Sequence, residues 1–189
     1  KKILLSFDYS PSSSAELNPG AIAIMKQILL TGNKVYSMAL WPAGIDIYED
    51  VKEQVLNDPQ IIEYNRTNAN VEENIIALGY APGGEIAIKY MLENMSVVFP
   101  NSNLDIGNLC DYNFIVSFSA GFPGSIDWVK YGVDPSRFDC DNEVSITTGV
   151  TAVLAPDIAP YVNSGQVKGM LIGLSGAANY QKLSEIIDE

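Results

Sequence analysis

Five short apolar runs, each followed by a stretch of helical periodicity or a helix-starting turn, constrain this chain more than any other feature. Residues 2–8 (KILLSFD), 34–41 (KVYSMALW), 74–80 (NIIALGY), 113–120 (NFIVSFSA) and 143–149 (EVSITTG) read as strands. Between them, 15–33 carries apolar residues at helical spacing and stops at Gly32-Asn33, while 46–58 is amphipathic with an acidic outer face. The turn APGGE leads into a helix at 86–95, GFPG into a short helix near SIDWVKY, and 150–162 supplies a closing helix; 58–72 and 132–142 read as loop or irregular. Strands that are apolar along their length are covered on both faces, and strand–helix alternation does this for a parallel sheet. The expectation is α/β: a doubly wound, mainly parallel five-stranded sheet in a Rossmann-like or flavodoxin-like three-layer sandwich, forming one domain over 1–189.

Composition narrows the function classes. With 23 acidic against 11 basic residues the net charge is −12. Such a surface repels phosphate backbones and anionic headgroups, so no nucleic-acid partner is expected. The sequence contains no histidine, which removes the usual general base near neutral pH and rules out a Ser-His-Asp or Cys-His device built from this chain alone. No apolar run is long enough to span a bilayer. The chain opens on Lys1-Lys2, so the expectation is a soluble part of a longer secreted or membrane-anchored protein, with any membrane contact made by segments outside it. The sequons at Asn65 and Asn94 matter only in a glycosylating host.

Cys110 and Cys140 are the only cysteines. Each lies a few residues before a strand. If those strands are parallel neighbours, both thiols reach the same sheet edge, as a disulfide in an oxidising compartment or as two buried free thiols.

Ligands in a doubly wound sheet sit outside the carboxyl ends of the strands. Those ends read FDYS, LWPAG, LGYAPGGE, SFSAGFPGS and ITTGVT, rich in the small residues that expose backbone N–H groups at helix starts and also simply make tight turns. The candidate ligand-binding residues are Asp8, Tyr9, Ser10, Trp41, Tyr80, Gly83, Gly84, Ser119, Gly121, Thr147, Thr148 and Gly149. No catalytic residue, metal site or cofactor is assigned. GK[ST] is absent and GYAPGGE is not GxGxxG. Ser119 lacks both a base and a GxSxG setting, and Lys130 could act as a base only if well buried.

In GQVKGMLIGLSGAANY, residues 165–180, glycines recur at Gly165, Gly169, Gly173 and Gly176. Steps of four, four and three fit one stripe of a helix, and Lys168 makes a membrane GxxxG face too short. The expectation is a soluble closing helix whose flat side admits another backbone, either the domain's own sheet or the same helix in a homodimer. In a second version Gly176 ends one helix and AANYQKLSEIID starts the next.

The blocks SFDYSPSSSAELNPGAIAI, LGYAPGGE, SAGFPGSIDWVKYG and APDIAPYVNSGQVKGMLIGLSGAANY, spanning about residues 3–180, together resemble a family of uncharacterised prokaryotic envelope proteins. The resemblance implies a soluble, extracytoplasmic α/β domain, periplasmic or at the cell surface, tethered by hydrophobic segments, and it implies no activity. That family ends its last block in Gly-Ala-Ala-Glu-Tyr; Asn179 occupies the Glu position here, so no essential carboxylate is expected there.

Three functions follow as expectations. The first is non-catalytic binding of a small ligand or partner protein at the carboxyl-end rim. The second is a metal-assisted hydrolase or transferase using Asp8, although FDYS supplies no second acid. The third is self-assembly through the glycine-rich helix.

Overall fold

A computed structural model describes residues 1–68, 70–102, 105–133, 140 and 144–187, with side chains at 185–187 left out. Most of the irregular 132–142 segment and the start of the expected fifth strand therefore lie outside the described residues. In chain order the elements are β1 (Lys2–Asp8), α1 (Ser14–Leu30), β2 (Lys34–Ala39), α2 (Gly44–Leu56), α3 (Pro59–Thr67), β3 (Ile75–Tyr80), α4 (Glu85–Glu93) and α5 (Met95–Val98). They continue with β4 (Phe114–Ser119), α6 (Ser125–Asp127), β5 (Ser145–Val150), α7 (Ala155–Asn163), β6 (Val167–Ile172) and α8 (Gly173–Ile187), with a π-helical stretch over Trp128–Gly132.

The strands form one six-stranded sheet in the order β3-β2-β1-β4-β5-β6, parallel at every pairing. The chain is thus the doubly wound α/β sandwich its alternation predicts, with one strand more. Period two sorts each strand's side chains between two cores. Ile3, Leu5 and Phe7 join Val116 and Phe118 under α1, α2 and α3, together with Tyr180 of α8. On the other face Leu4, Tyr36, Met38, Ile115, Ile146 and Val150 pack under α4, α7 and Trp128.

Two departures from the expected elements have local causes. The polar stretch after residue 58 contains α3, started by Asp58, whose side chain accepts from the Gln60 N–H, and by Pro59 in the first turn. Both are helix-start signals that outweigh the segment's polar composition. The larger correction concerns the glycine stripe. Residues 165–172 are not helical: α7 ends at Asn163, Gly165 takes φ +78° just beyond it, and β6 then pairs with β5. A left-handed glycine past the last helical turn is a stop signal, and Gly-Gln-Val-Lys-Gly-Met-Leu-Ile after it is a turn followed by an edge strand. Helix α8 begins only at Gly173, at φ +51°.

The four glycines consequently share no face. Gly165 has open space about it, and Gly169 lies on β6 opposite Thr147. A side chain at Gly173 would meet Glu16, and one at Gly176 would meet the backbone of Leu171 at 3.0 Å. The assembly surface expected of one flat helix is not present in this arrangement.

Cys110 and Cys140 are joined in a disulfide, with Cα atoms 5.4 Å apart. The parallel pairing of β4 with β5 brings the segments preceding both strands to one sheet edge, which meets the condition for a disulfide rather than two free thiols. No helix among the described residues is long and apolar enough to cross a membrane.

Candidate functional site

Strand order reverses between β1 and β4, where a crevice normally opens at the carboxyl ends. Here that point is closed. Asp8, the last residue of β1, is fully buried and accepts four hydrogen bonds. Its Oδ1 takes the Ser6 hydroxyl at 2.7 Å and the Leu40 N–H at 2.8 Å. Its Oδ2 takes the Trp128 indole Nε1–H at 3.1 Å and the Ser117 hydroxyl at 3.2 Å. Ser125 extends the network, its hydroxyl 3.0 Å from that of Ser117.

The carboxylate therefore ties β1, the end of β2, β4 and the π-helical stretch at one point. Burial raises its pKa from 3.8 to about 6, and the hydrogen bonds from Ser6, Leu40, Trp128 and Ser117 offset part of that rise. With both oxygens doubly engaged and no exposure to solvent, Asp8 has no lone pair to offer a metal or substrate in this arrangement. Among the described residues no cluster of three or more Asp, Glu or Cys is placed to hold a metal ion.

Several other expected site residues join the interior. Tyr9 is buried, donating its hydroxyl to Asn18 Oδ1 at 2.9 Å, and burial and the neighbouring Asp8 push its pKa upward. Ser119 is buried and donates to the Gly121 carbonyl at 3.0 Å. Thr147, Thr148 and Gly149 lie inside β5 rather than at its end, paired to β4 on one side and β6 on the other, with Thr147 half-buried beside an apolar groove. Thr148 is 1% exposed, with its hydroxyl unpaired, and a side chain at Gly149 would overlap the Phe118 ring. The rim beyond β5 is formed instead from Thr151 onward. Ser10 stands apart, its hydroxyl 2.8 Å from that of Ser12 before a short 3-10 turn.

The remaining candidates do come together, on the β2–β3 side of the switch point. An open cleft of about 660 Å³ is lined by Leu40, Trp41, Pro42, Tyr80, Gly83, Gly84, Glu85, Phe122, Pro123 and Asp127. Its walls come from the loops after β2, β3 and β4, and several contacts hold them. The Trp41 indole N–H donates to the Pro123 carbonyl at 2.7 Å, and Gly121 lies under the same indole, where a Cβ would stand 3.5 Å from the ring.

Gly83 and Gly84 take φ +104° and +55°, which only glycine adopts readily, and a Cβ on Gly84 would press Pro123 at 3.2 Å. Asp127 Oδ2 accepts the Gly124 N–H at 2.8 Å, anchoring the far wall. Comparison with protein-family models, with curated proteins and with solved structures returns no match, so the reading of this site rests on its own geometry.

Of the residues expected to bind, Trp41, Tyr80, Gly83 and Gly84 line the cleft and Gly121 falls behind it, whereas Leu40, Pro42, Glu85, Phe122, Pro123 and Asp127 are not among the expected residues. The signal lay in the quoted loops themselves. In APGGE and GFPGSID the large and charged residues beside the glycines form the surface, while the glycines set the turns.

Proposed function

We propose that this domain is a non-catalytic binding module that takes a small ligand, or a projecting group of a partner protein, in the cleft between the β2, β3 and β4 loops. The observation that carries this reading is the cleft's construction. Three aromatic side chains and two prolines line one open hollow, and Phe122 and Tyr80 remain 60% and 40% exposed beside it. Exposed aromatics held by a braced loop are costly to leave in water and gain when a ligand covers them. The buried, saturated Asp8 supports the non-catalytic part of the reading. The Cys110–Cys140 bond supports an oxidising, extracytoplasmic setting for it.

The test uses the two tryptophans, Trp41 in the cleft and Trp128 in the core. In an indole ¹⁵N spectrum, a small-molecule fragment library is expected to contain compounds that move the Trp41 signal saturably and leave Trp128 in place. Phe122→Ala should weaken such binding without altering the melting temperature. A library with no compound moving Trp41 at millimolar concentration overturns the reading.

A further inference from the structure

The cleft's chemistry narrows what could occupy it. We infer that its ligand carries an organic cation, an alkylated ammonium or a guanidinium, held by Trp41, Tyr80 and Phe122 and balanced by Glu85 and Asp127; this rests on the binding reading above.

Among the described residues the lining holds two carboxylates and no lysine or arginine. Of its described side chains only two carry a hydrogen-bond donor, the Trp41 indole and the Tyr80 hydroxyl, and the indole already donates to Pro123. Acceptors and aromatic rings with a single side-chain donor to spare suit a ligand that brings positive charge. A cation over an aromatic ring is attracted by the ring's quadrupole, and a carboxylate within reach adds to it.

Two features pull the other way. The amino end of α4 opens at Gly84-Glu85, and a helix end favours an anion by the equivalent of roughly half a charge. Lys89 also reaches Glu85 Oε1 at 3.3 Å, in a pair that is nearly half exposed. Lys89 stands outside the lining, and its own ammonium lies 4.4 Å from the centre of the Tyr131 ring. Lys89 and the helix end offset part of the Glu85 charge, and Asp127 brings a second carboxylate to the lining. The net charge of −12 further draws cations toward the surface and repels anions.

A saccharide is the competing occupant, since aromatic walls also take sugar rings. Sugar hydroxyls, however, are usually met by donors as well as acceptors, and among the described lining residues the Tyr80 hydroxyl is the one side-chain donor to spare.

The experiment titrates the protein with choline, with arginine methyl ester and with 3,3-dimethylbutanol, the uncharged isostere of choline, reading the Trp41 indole signal against Trp128. Methyl glucoside and inorganic phosphate complete the panel. Choline or arginine methyl ester is expected to bind about tenfold or more tighter than the neutral isostere, with affinity falling as salt is raised. Glu85→Gln and Phe122→Leu are each expected to weaken cation binding about two- to fivefold, the range for an exposed cation–π or screened charge contact. Phe122→Leu retains apolar bulk, so its loss reports the ring's π face specifically. Equal or tighter binding of the isostere, methyl glucoside or phosphate overturns the cationic ligand and leaves the binding cleft standing. Silence of Trp41 toward the cations alone overturns this inference, and silence toward the whole fragment library overturns both.

Discussion

Gly169 separates the observed architecture from a helical glycine stripe more sharply than any other position. It lies on β6 opposite Thr147, with ordinary rather than left-handed backbone, and an added Cβ would meet only Thr147 Cγ2, at 3.7 Å. Beside it runs an apolar groove of about 270 Å³ between α1 and α8, lined by Ile3, Ile24, Ile28, Phe114, Leu171 and Tyr180 among others. Gly169→Val places three carbons against that lining. At about 0.8 kcal/mol per buried carbon, halved because the groove is open to solvent, the gain is roughly 1 kcal/mol. Removing a strand glycine adds about 0.5–1 kcal/mol.

The expected result is stabilisation by about 1–2 kcal/mol, or a rise of about 2–8 °C in melting temperature for a chain of this size. Urea and thermal unfolding followed by circular dichroism, with the disulfide intact, measure it. Two neighbouring glycines supply the contrast. Gly173→Ala forces φ +51° on a side chain that would meet Glu16 Oε1 at 2.7 Å, and should cost about 1–2 kcal/mol. Gly176→Ala meets the Leu171 backbone at 3.0 Å and should cost about 1–3 kcal/mol by overpacking. Were 165–176 one helical stripe against a close neighbour, valine at 169 would destabilise like the others. A loss at Gly169 comparable to that at Gly176 refutes the strand, the groove and the reasoning together.

Asp8 makes a pH prediction of unusual sign. Its folded pKa of about 6 stands above the free value of 3.8, so its contribution to stability is full below about pH 4 and is lost as pH rises to 6. The stability of wild type minus that of Asp8→Asn should therefore fall by about 3 kcal/mol across that window, read from urea midpoints at pH 4, 5, 6 and 7; a difference that grows with pH would mean the four hydrogen bonds outweigh burial. Reducing the Cys110–Cys140 bond frees a 30-residue span, worth about 3–4 kcal/mol in the chain-entropy model. The melting temperature should then drop by about 6–16 °C, and an unchanged value would refute that model here.

How much was legible from the residues divides along a physical line. Apolar runs alternating with helical periodicity determine a parallel α/β sandwich, because a strand apolar on both faces must be covered on both. The cysteines could be placed at one sheet edge only on condition that the strands after them pair in parallel, and that adjacency of β4 and β5 is a property of the sheet. Trp41, Tyr80, Gly83 and Gly84 were found at the rim for a similarly local reason, since each ends a strand or starts the turn beyond it. The β6 strand was not legible, because glycines at 165, 169, 173 and 176 have helical spacing whether or not the chain is helical. What distinguishes the cases is the pairing of Thr147 with Gly169 and Gly149 with Leu171, contacts made across the sheet.

The fate of the rim was decided in the same way. Asp8 and Ser119 end their strands as expected, yet both are buried. Trp128, 120 positions along the chain from Asp8, reaches its carboxylate, and a side chain at Gly44 would collide with the Phe7 carbonyl, so close does the β2 loop lie to the end of β1. Local sequence determined which residues stand at the carboxyl ends of β1, β3 and β4. Only the packing of distant loops over those ends decided which of them face water, because exposure depends on what lies above a residue, and no neighbour in sequence records that.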